Sequence, residues 1–345
     1  MAAPVDVAGM KATGPAVPLE PRVAATSTGA AAAISSQGTL VYGASPLGGR
    51  MRLALVDTGG QVRYLRQSLA PGSLQFSPNG KQVVFGAPGN LGAPGAAAEP
   101  DIQVVDIATE VSTRLRTTGN PLYVSWGADG NRILAPRSAN GVIEVMNVPV
   151  DGAPESRLLA IPAAGGSVYP TRDGRALIYG AELQAGGGAA LLRVRLDDSG
   201  KLDTLVLESR DRVAVYRPRV SPDGRAVAFL DRNTGDVFLH SLVGGGTLQV
   251  SDFPARIQRP VVWGADSRHL FYSGANGLNI IEVATAPALR VVSRRVKPGF
   301  PLGVSYDLSP DGKTFISFNP DDPGMQLWVA VNWLDEARRA WNKDR

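Results

Sequence analysis

One phrase recurs along this chain: an apolar run, a tight polar turn ending in Gly, then a second apolar run. Its copies are ISSQGTLVYG (34–43), FSPNGKQVVFG (76–86), WGADGNRILA (126–135), PTRDGRALIYG (170–180), VSPDGRAVAFL (220–230), WGADSRHLFYS (263–273) and LSPDGKTFISF (308–318). The turns end at Gly38, Gly80, Gly130, Gly174, Gly224, Ser267 and Gly312, spaced by 42, 50, 44, 50, 43 and 45 residues. Pro at the first central position presets φ, Asp or Asn bonds back to its own backbone, and Gly takes φ > 0 without a Cβ clash. The alternating residues on either side read as strands. A period in this range is that of the blades of a β-propeller.

Two further strands follow each phrase. The third strands are expected at 51–56, 102–107, 142–148, 191–196, 237–242, 278–283 and 325–331. The fourth are expected at 62–66, 112–116, 156–161, 202–207, 247–250 and 289–296. Four antiparallel strands per unit, repeated in a ring, make an all-β propeller. The last copy lacks a fourth strand, and 12–21 can supply it by pairing with 325–331. That would close the ring and cover both sheet edges. The expectation is one propeller domain over 1–345 with seven blades, six being the alternative. The repeats span approximately 30–72, 73–120, 121–165, 166–211, 216–254, 257–300 and 304–331, and a short helix covers 332–345.

Composition agrees with many short elements. The chain has 345 residues, 40 Gly, 26 Pro, 44% hydrophobic and 6% aromatic residues. The segments 86–100 and 184–189 are Gly- and Ala-rich and read as loops. No Cys is present, which excludes disulfides, thiolate metal sites and a Cys nucleophile. The net charge of +4 comes from 35 basic and 31 acidic residues. The basic clusters, Arg210 with Arg212 and Arg294, Arg295 with Lys297, are too short for a nucleic-acid surface. No run of 18 apolar residues occurs, so no transmembrane helix is expected. Residues 1–19 lack a basic segment before an apolar one and do not read as a signal peptide.

The sequence offers little catalytic chemistry. His240 and His269 are the only two His, and both fall inside strands. There is no G-x-S-x-G elbow, no phosphate-binding G-x-x-x-x-G-K-[ST] loop and no kinase catalytic loop. Asp101, Asp106, Asp236, Asp311, Asp321 and Asp322 could line a face, but no calcium loop is present. Turn residues Asp173, Asp223 and Asp311 read as caps of their own turns. No metal and no cofactor are expected, and the chain is not expected to be an enzyme.

The S-P-D-G type phrase at 77–85, 221–229 and 309–315 resembles the WD-like repeats of TolB-type propellers. The opening APVDVAGMKATGPAVPLEPRVA (3–24) with ISSQGTLVYGA (34–44), and the closing LWVAVNWLDEARR (327–339), resemble the propeller region of large bacterial serine/threonine kinases. In that family a cytoplasmic kinase domain and one membrane helix precede an extracytoplasmic propeller. The resemblance implies an extracytoplasmic or periplasmic location and a kinase domain in the same or a neighbouring reading frame. It carries over no catalytic residue, and the start of the chain reads as that of a fragment, a split gene or a stand-alone descendant.

The function expected is a non-catalytic sensor or interaction propeller, monomeric, binding a protein or small molecule on one face of its channel. The expected contacts precede the turns: Tyr123, Tyr169, Tyr216, Arg217, Arg219, Arg259 and Tyr306. The alternative is a TolB-type accessory propeller in envelope transport or assembly. A third reading is a propeller hydrolase or lyase using channel carboxylates.

Overall fold

The computed structural model describes residues 5–6, 11–12, 25–26, 29–30, 32–35, 39–44, 51–69, 72–87, 101–119, 123–139, 142–161, 167–182, 189–197, 202–208, 215–231, 234–251, 260–274, 276–303, 305–320, 326–330 and 339. The chain divides into two compact units, residues 52–319 and residues 1–51 with 320–345.

The larger unit contains six antiparallel four-stranded sheets, here called blades, each given from its innermost strand outward. Blade 1 is Leu74–Phe76, Gln82–Ala87, Asp101–Asp106 and Ser112–Arg116. Blade 2 is Ser125–Trp126, Arg132–Ala139, Val142–Pro149 and Ser156–Ile161. Blade 3 is Val168–Pro170, Ala176–Glu182, Ala189–Arg195 and Leu202–Glu208. Blade 4 is Val215–Val220, Ala226–Asp231, Val237–Ser241 and Thr247–Gln249. Blade 5 is Val262–Trp263, His269–Gly274, Gly277–Ala284 and Arg290–Lys297. Blade 6 draws on both ends of the unit: Tyr306–Leu308, Thr314–Pro320, Met51–Asp57 and Val62–Leu69.

The innermost strands adjoin in sequence, and Tyr306–Leu308 adjoins Leu74–Phe76, so the ring closes with six blades. Its apolar clusters lie between blades. Ile102, Val104 and Leu115 of blade 1 pack on Trp126, Ile133 and Met146 of blade 2, and Leu239 of blade 4 packs with Trp263 and Ile281 of blade 5. Phe85 of blade 1 meets Phe318 of blade 6 edge to face, centroids 5.5 Å apart. Among the described residues, neighbouring blades thus bury apolar faces against each other.

The turn phrase behaves as its residues dictate. All six turns carry a backbone bond from the last turn residue to the first, of 2.8–3.1 Å. Gly80, Gly130, Gly174, Gly224 and Gly312 have φ between 68° and 74°. Ser267 takes the same place at φ 57°, and its hydroxyl accepts the Asp223 N–H at 2.9 Å.

Seven phrases nevertheless give six blades, and the expected seven-bladed closure is overturned. Met51–Asp57 and Val62–Leu69, expected to complete the first phrase, complete the seventh instead. The first phrase forms Ala32–Ile34 and Leu40–Ala44, a hairpin in the smaller unit. Gln326–Ala330 pairs there with Leu40–Ala44, Trp328 opposite Tyr42. Of the expected closing strand, 12–21, only Ala12 is described, in the strand Lys11–Ala12 that pairs with Val5–Asp6, and 13–21 lie outside the described residues. The place held by Phe76, Trp126, Pro170, Val220, Trp263 and Leu308 in the six blades is held in the first phrase by Ile34, preceded by Ala32 and Ala33. The C-terminal helix also finds no support. The described elements are all strands, and of 332–345 only Arg339, a single helical residue, is described. Among the described residues no helix is long and apolar enough to cross a membrane.

Candidate functional site

The six turns crowd round one end of the channel. A Cβ built on Gly80 would stand 3.3 Å from Pro310 of blade 6, on Gly130 3.6 Å from Pro78, on Gly174 3.4 Å from Ala128, and on Gly312 3.4 Å from Ala265. Arg172 of blade 3 donates to the Pro222 carbonyl of blade 4 at 3.0 Å. The second residue of each turn thus forms a collar of Pro78, Ala128, Arg172, Pro222, Ala265 and Pro310, all exposed or half-buried. Five are small and apolar, and Arg172 carries the collar's single charge.

Inside the collar lies a cavity of about 350 Å³. Two residues before each turn, the inner strands supply Gln75, Ser125, Tyr169, Arg219, Val262 and Asp307. All but Ser125 line the cavity. Several stitch one blade to the next. Gln75 Oε1 accepts the Trp126 N–H at 2.8 Å, Ser125 donates to the Val168 carbonyl at 2.7 Å, and Asp307 Oδ2 accepts the Phe76 N–H at 2.9 Å. The indole N–H groups of Trp126 and Trp263 donate to the carbonyls of Gln75 and Arg219, at 3.2 and 2.9 Å.

Arg219 differs from the rest of this layer. Its guanidinium lies 4.2 Å over the Tyr169 ring centroid, a cation–π contact. It donates no hydrogen bond to a described residue, and its Nε is buried without a partner. Asp307 is buried. Loss of hydration pushes its carboxyl above the usual range, opposed by the pull of Arg219 and by the Phe76 and Leu308 N–H groups. The two side chains feel each other's charge, yet neither a hydrogen bond nor a salt bridge joins them.

Of the seven expected contacts, the structure brings Tyr169 and Arg219 together at the cavity. Tyr306 is wholly buried one position further back. Its hydroxyl donates to the Pro260 carbonyl and accepts the Ser273 N–H, both at 2.6 Å, so it ties blade 6 to blade 5. Tyr123 is half-buried and away from the cavity wall. Arg217 sits at φ 50° in the register shift between Tyr216 and Arg219 and does not line the cavity. The Tyr216 side chain and all of Arg259 lie outside the described residues.

The acidic candidates are scattered. Asp101 pairs with Arg114, and Asp106 caps the Ala108 and Thr109 N–H groups of its own turn. Asp236 takes the Ser251 hydroxyl, Asp311 caps its turn through Ser309 and Lys313, and Asp321 and Asp322 are not described. Among the described residues no group of three or more His, Asp or Glu is placed to hold a metal ion. His240 is buried beside Thr247, and His269 lies 2.6 Å from Asp266, both away from the cavity. Sequence reasoning missed Asp307, Gln75 and the two Trp. The signal available was positional, because strand alternation puts the residue two before each turn on the channel side.

No family model matches the chain, and no curated protein matches it. Solved structures do. TolB from Acinetobacter baumannii superposes with a TM-score of 0.53 at 16% identity, over 83% of this chain and 66% of that one. A TolB candidate from Agrobacterium tumefaciens gives 0.56 at 13% identity, over 78% and 99%. The periplasmic gluconolactonase of Pseudomonas aeruginosa gives 0.50 at 17% identity, over 82% and 99%. A named enzyme stands among these likenesses, so the fold gives no ground for excluding catalysis. The expectation of a non-catalytic sensor that is not an enzyme is overturned on that point. The kinase association expected from the end segments finds no support. What these likenesses establish is the fold, a six-bladed β-propeller of the kind seen in TolB-type structures.

Proposed function

We propose that this chain is an accessory propeller of the TolB type, serving envelope transport or assembly from an extracytoplasmic position. The observation that supports it is the collar. One turn residue per blade presents a ring of exposed or half-buried Pro and Ala over an open cavity, with Arg172 as its lone charge. Such a rim suits docking, because rigid turns lose little entropy when a partner settles on them. The likeness to TolB structures supports the envelope assignment. The test is complementation in a host deleted for the chain. Wild type should restore resistance to detergent, and Pro310→Glu, which sets a charge on the collar, should not. Unchanged detergent resistance in the deletion strain contradicts the reading.

A second reading rests on Asp307. A buried carboxyl whose pKa is raised, at the wall of a cavity, is the form a general acid takes. With a gluconolactonase among the similar structures, hydrolysis of a sugar lactone is the reaction to assay. Activity on an aldonolactone that disappears in Asp307→Asn would favour this reading over the first.

A further inference from the structure

The Arg219 guanidinium has five N–H donors, and none meets a described protein acceptor. Tyr169 holds one face of the plane, and the Trp263 indole holds the backbone carbonyl, so the residue is anchored at both ends. Asp307 makes no hydrogen bond to it, its Oδ2 being engaged with the Phe76 N–H. A cation held this way has lost part of its hydration and gained no hydrogen-bonding partner in exchange, a state that calls for one from outside. Above it stand the apolar faces of Pro78, Ala128, Pro222, Ala265 and Pro310.

We propose that this cavity binds a small organic carboxylate. The anionic end pairs with Arg219, and the apolar body sits among the Pro and Ala of the collar. The planar fork of a guanidinium matches a carboxylate in geometry and charge. The volume, about 350 Å³, falls in the range that takes small ligands. The carboxylate can belong to a free acid or to the C-terminus of a partner chain, and the chemistry at Arg219 is the same. This inference deepens the docking assignment of the collar and rests on it.

Trp126 and Trp263 line the cavity and report occupancy by their fluorescence. The whole chain is titrated with benzoate and with benzamide, and separately with N-acetyl-Ala-Ala-Phe as free acid and as amide. The acid of a pair should bind at least about tenfold more tightly than its amide, and the scaffold with the tighter acid identifies the source. Arg219→Gln should abolish that preference while thermal unfolding shows the variant still folded. The acid–amide comparison on wild type needs no variant, so misfolding cannot mask the answer. Equal binding of acid and amide, or binding by neither, overturns the carboxylate site. Acid binding with normal detergent resistance in the deletion strain would sink the envelope role and leave the site standing. Loss of resistance without acid binding would do the reverse.

Discussion

Asp307 Oδ2 accepts the backbone N–H of Phe76 at 2.9 Å across 231 residues of sequence, joining the last inner strand to the first. The same carboxyl is driven above its ordinary pKa by burial. The folded chain therefore holds this proton more tightly than the unfolded chain does. The stability it contributes is complete below the unfolded aspartate value and is lost as pH rises through the folded one. Asp307→Asn keeps an acceptor for Phe76 and removes the titration. Urea unfolding at about pH 4 and about pH 8 should show the variant gaining on wild type as pH rises. A difference that is the same at both pH values would contradict this.

Several turn aspartates carry the opposite sign. Asp173 is held below the usual range chiefly by the Thr171 hydroxyl, and Asp311 chiefly by the Ser309 hydroxyl. Their contribution is present above the unfolded value and lost as pH falls through the folded one. Replacing either by Asn should lower stability at neutral pH and leave the acid end nearly unchanged, so that the acid limb of the profile flattens. An unchanged acid limb counts against these caps.

The turn glycines separate a backbone cost from a packing cost. Gly224 has φ 73° and nothing within 4 Å of a built Cβ, whereas Gly80 has φ 71° and Pro310 at 3.3 Å. Gly224→Ala should cost about 1–2 kcal/mol, the left-handed penalty alone. Gly80→Ala should cost more, because the methyl presses on blade 6. Equal losses in thermal unfolding would show that the turns do not crowd.

Phe85 and Phe318 bind blade 1 to blade 6. Phe318→Ala should cost about 3–5 kcal/mol. A double-mutant cycle with Phe85→Leu and Phe318→Leu should show coupling of about 0.5–1.5 kcal/mol. Additive losses would deny the contact.

The turns were legible because Pro, Asp and Gly act locally, and five of the turn glycines do sit at positive φ. Strand positions followed from alternation. What the sequence could not show is which outer pair joins which inner pair. Met51–Asp57 follows the first phrase directly, yet it pairs with Thr314–Pro320. Backbone hydrogen bonding is the same for either choice, so alternation and turn chemistry do not decide between them. The site was half legible for a related reason. Tyr169 and Arg219 sit two residues before their turns, as Asp307 does, but the bulge beside Arg217 and the inward packing of Tyr306 broke the simple count.

The central claim is that the second and seventh phrases are neighbours in a ring of six. The chain has no Cys, so two can be introduced on a silent background. Lys81→Cys with Pro310→Cys places thiols on the facing turns of blades 1 and 6, where Gly80 and Pro310 approach. A short bis-maleimide should join them within one chain, seen as an intact mass carrying one bridging reagent. A ring of seven would set the first phrase between them. Two singly capped thiols and no bridge would contradict the account.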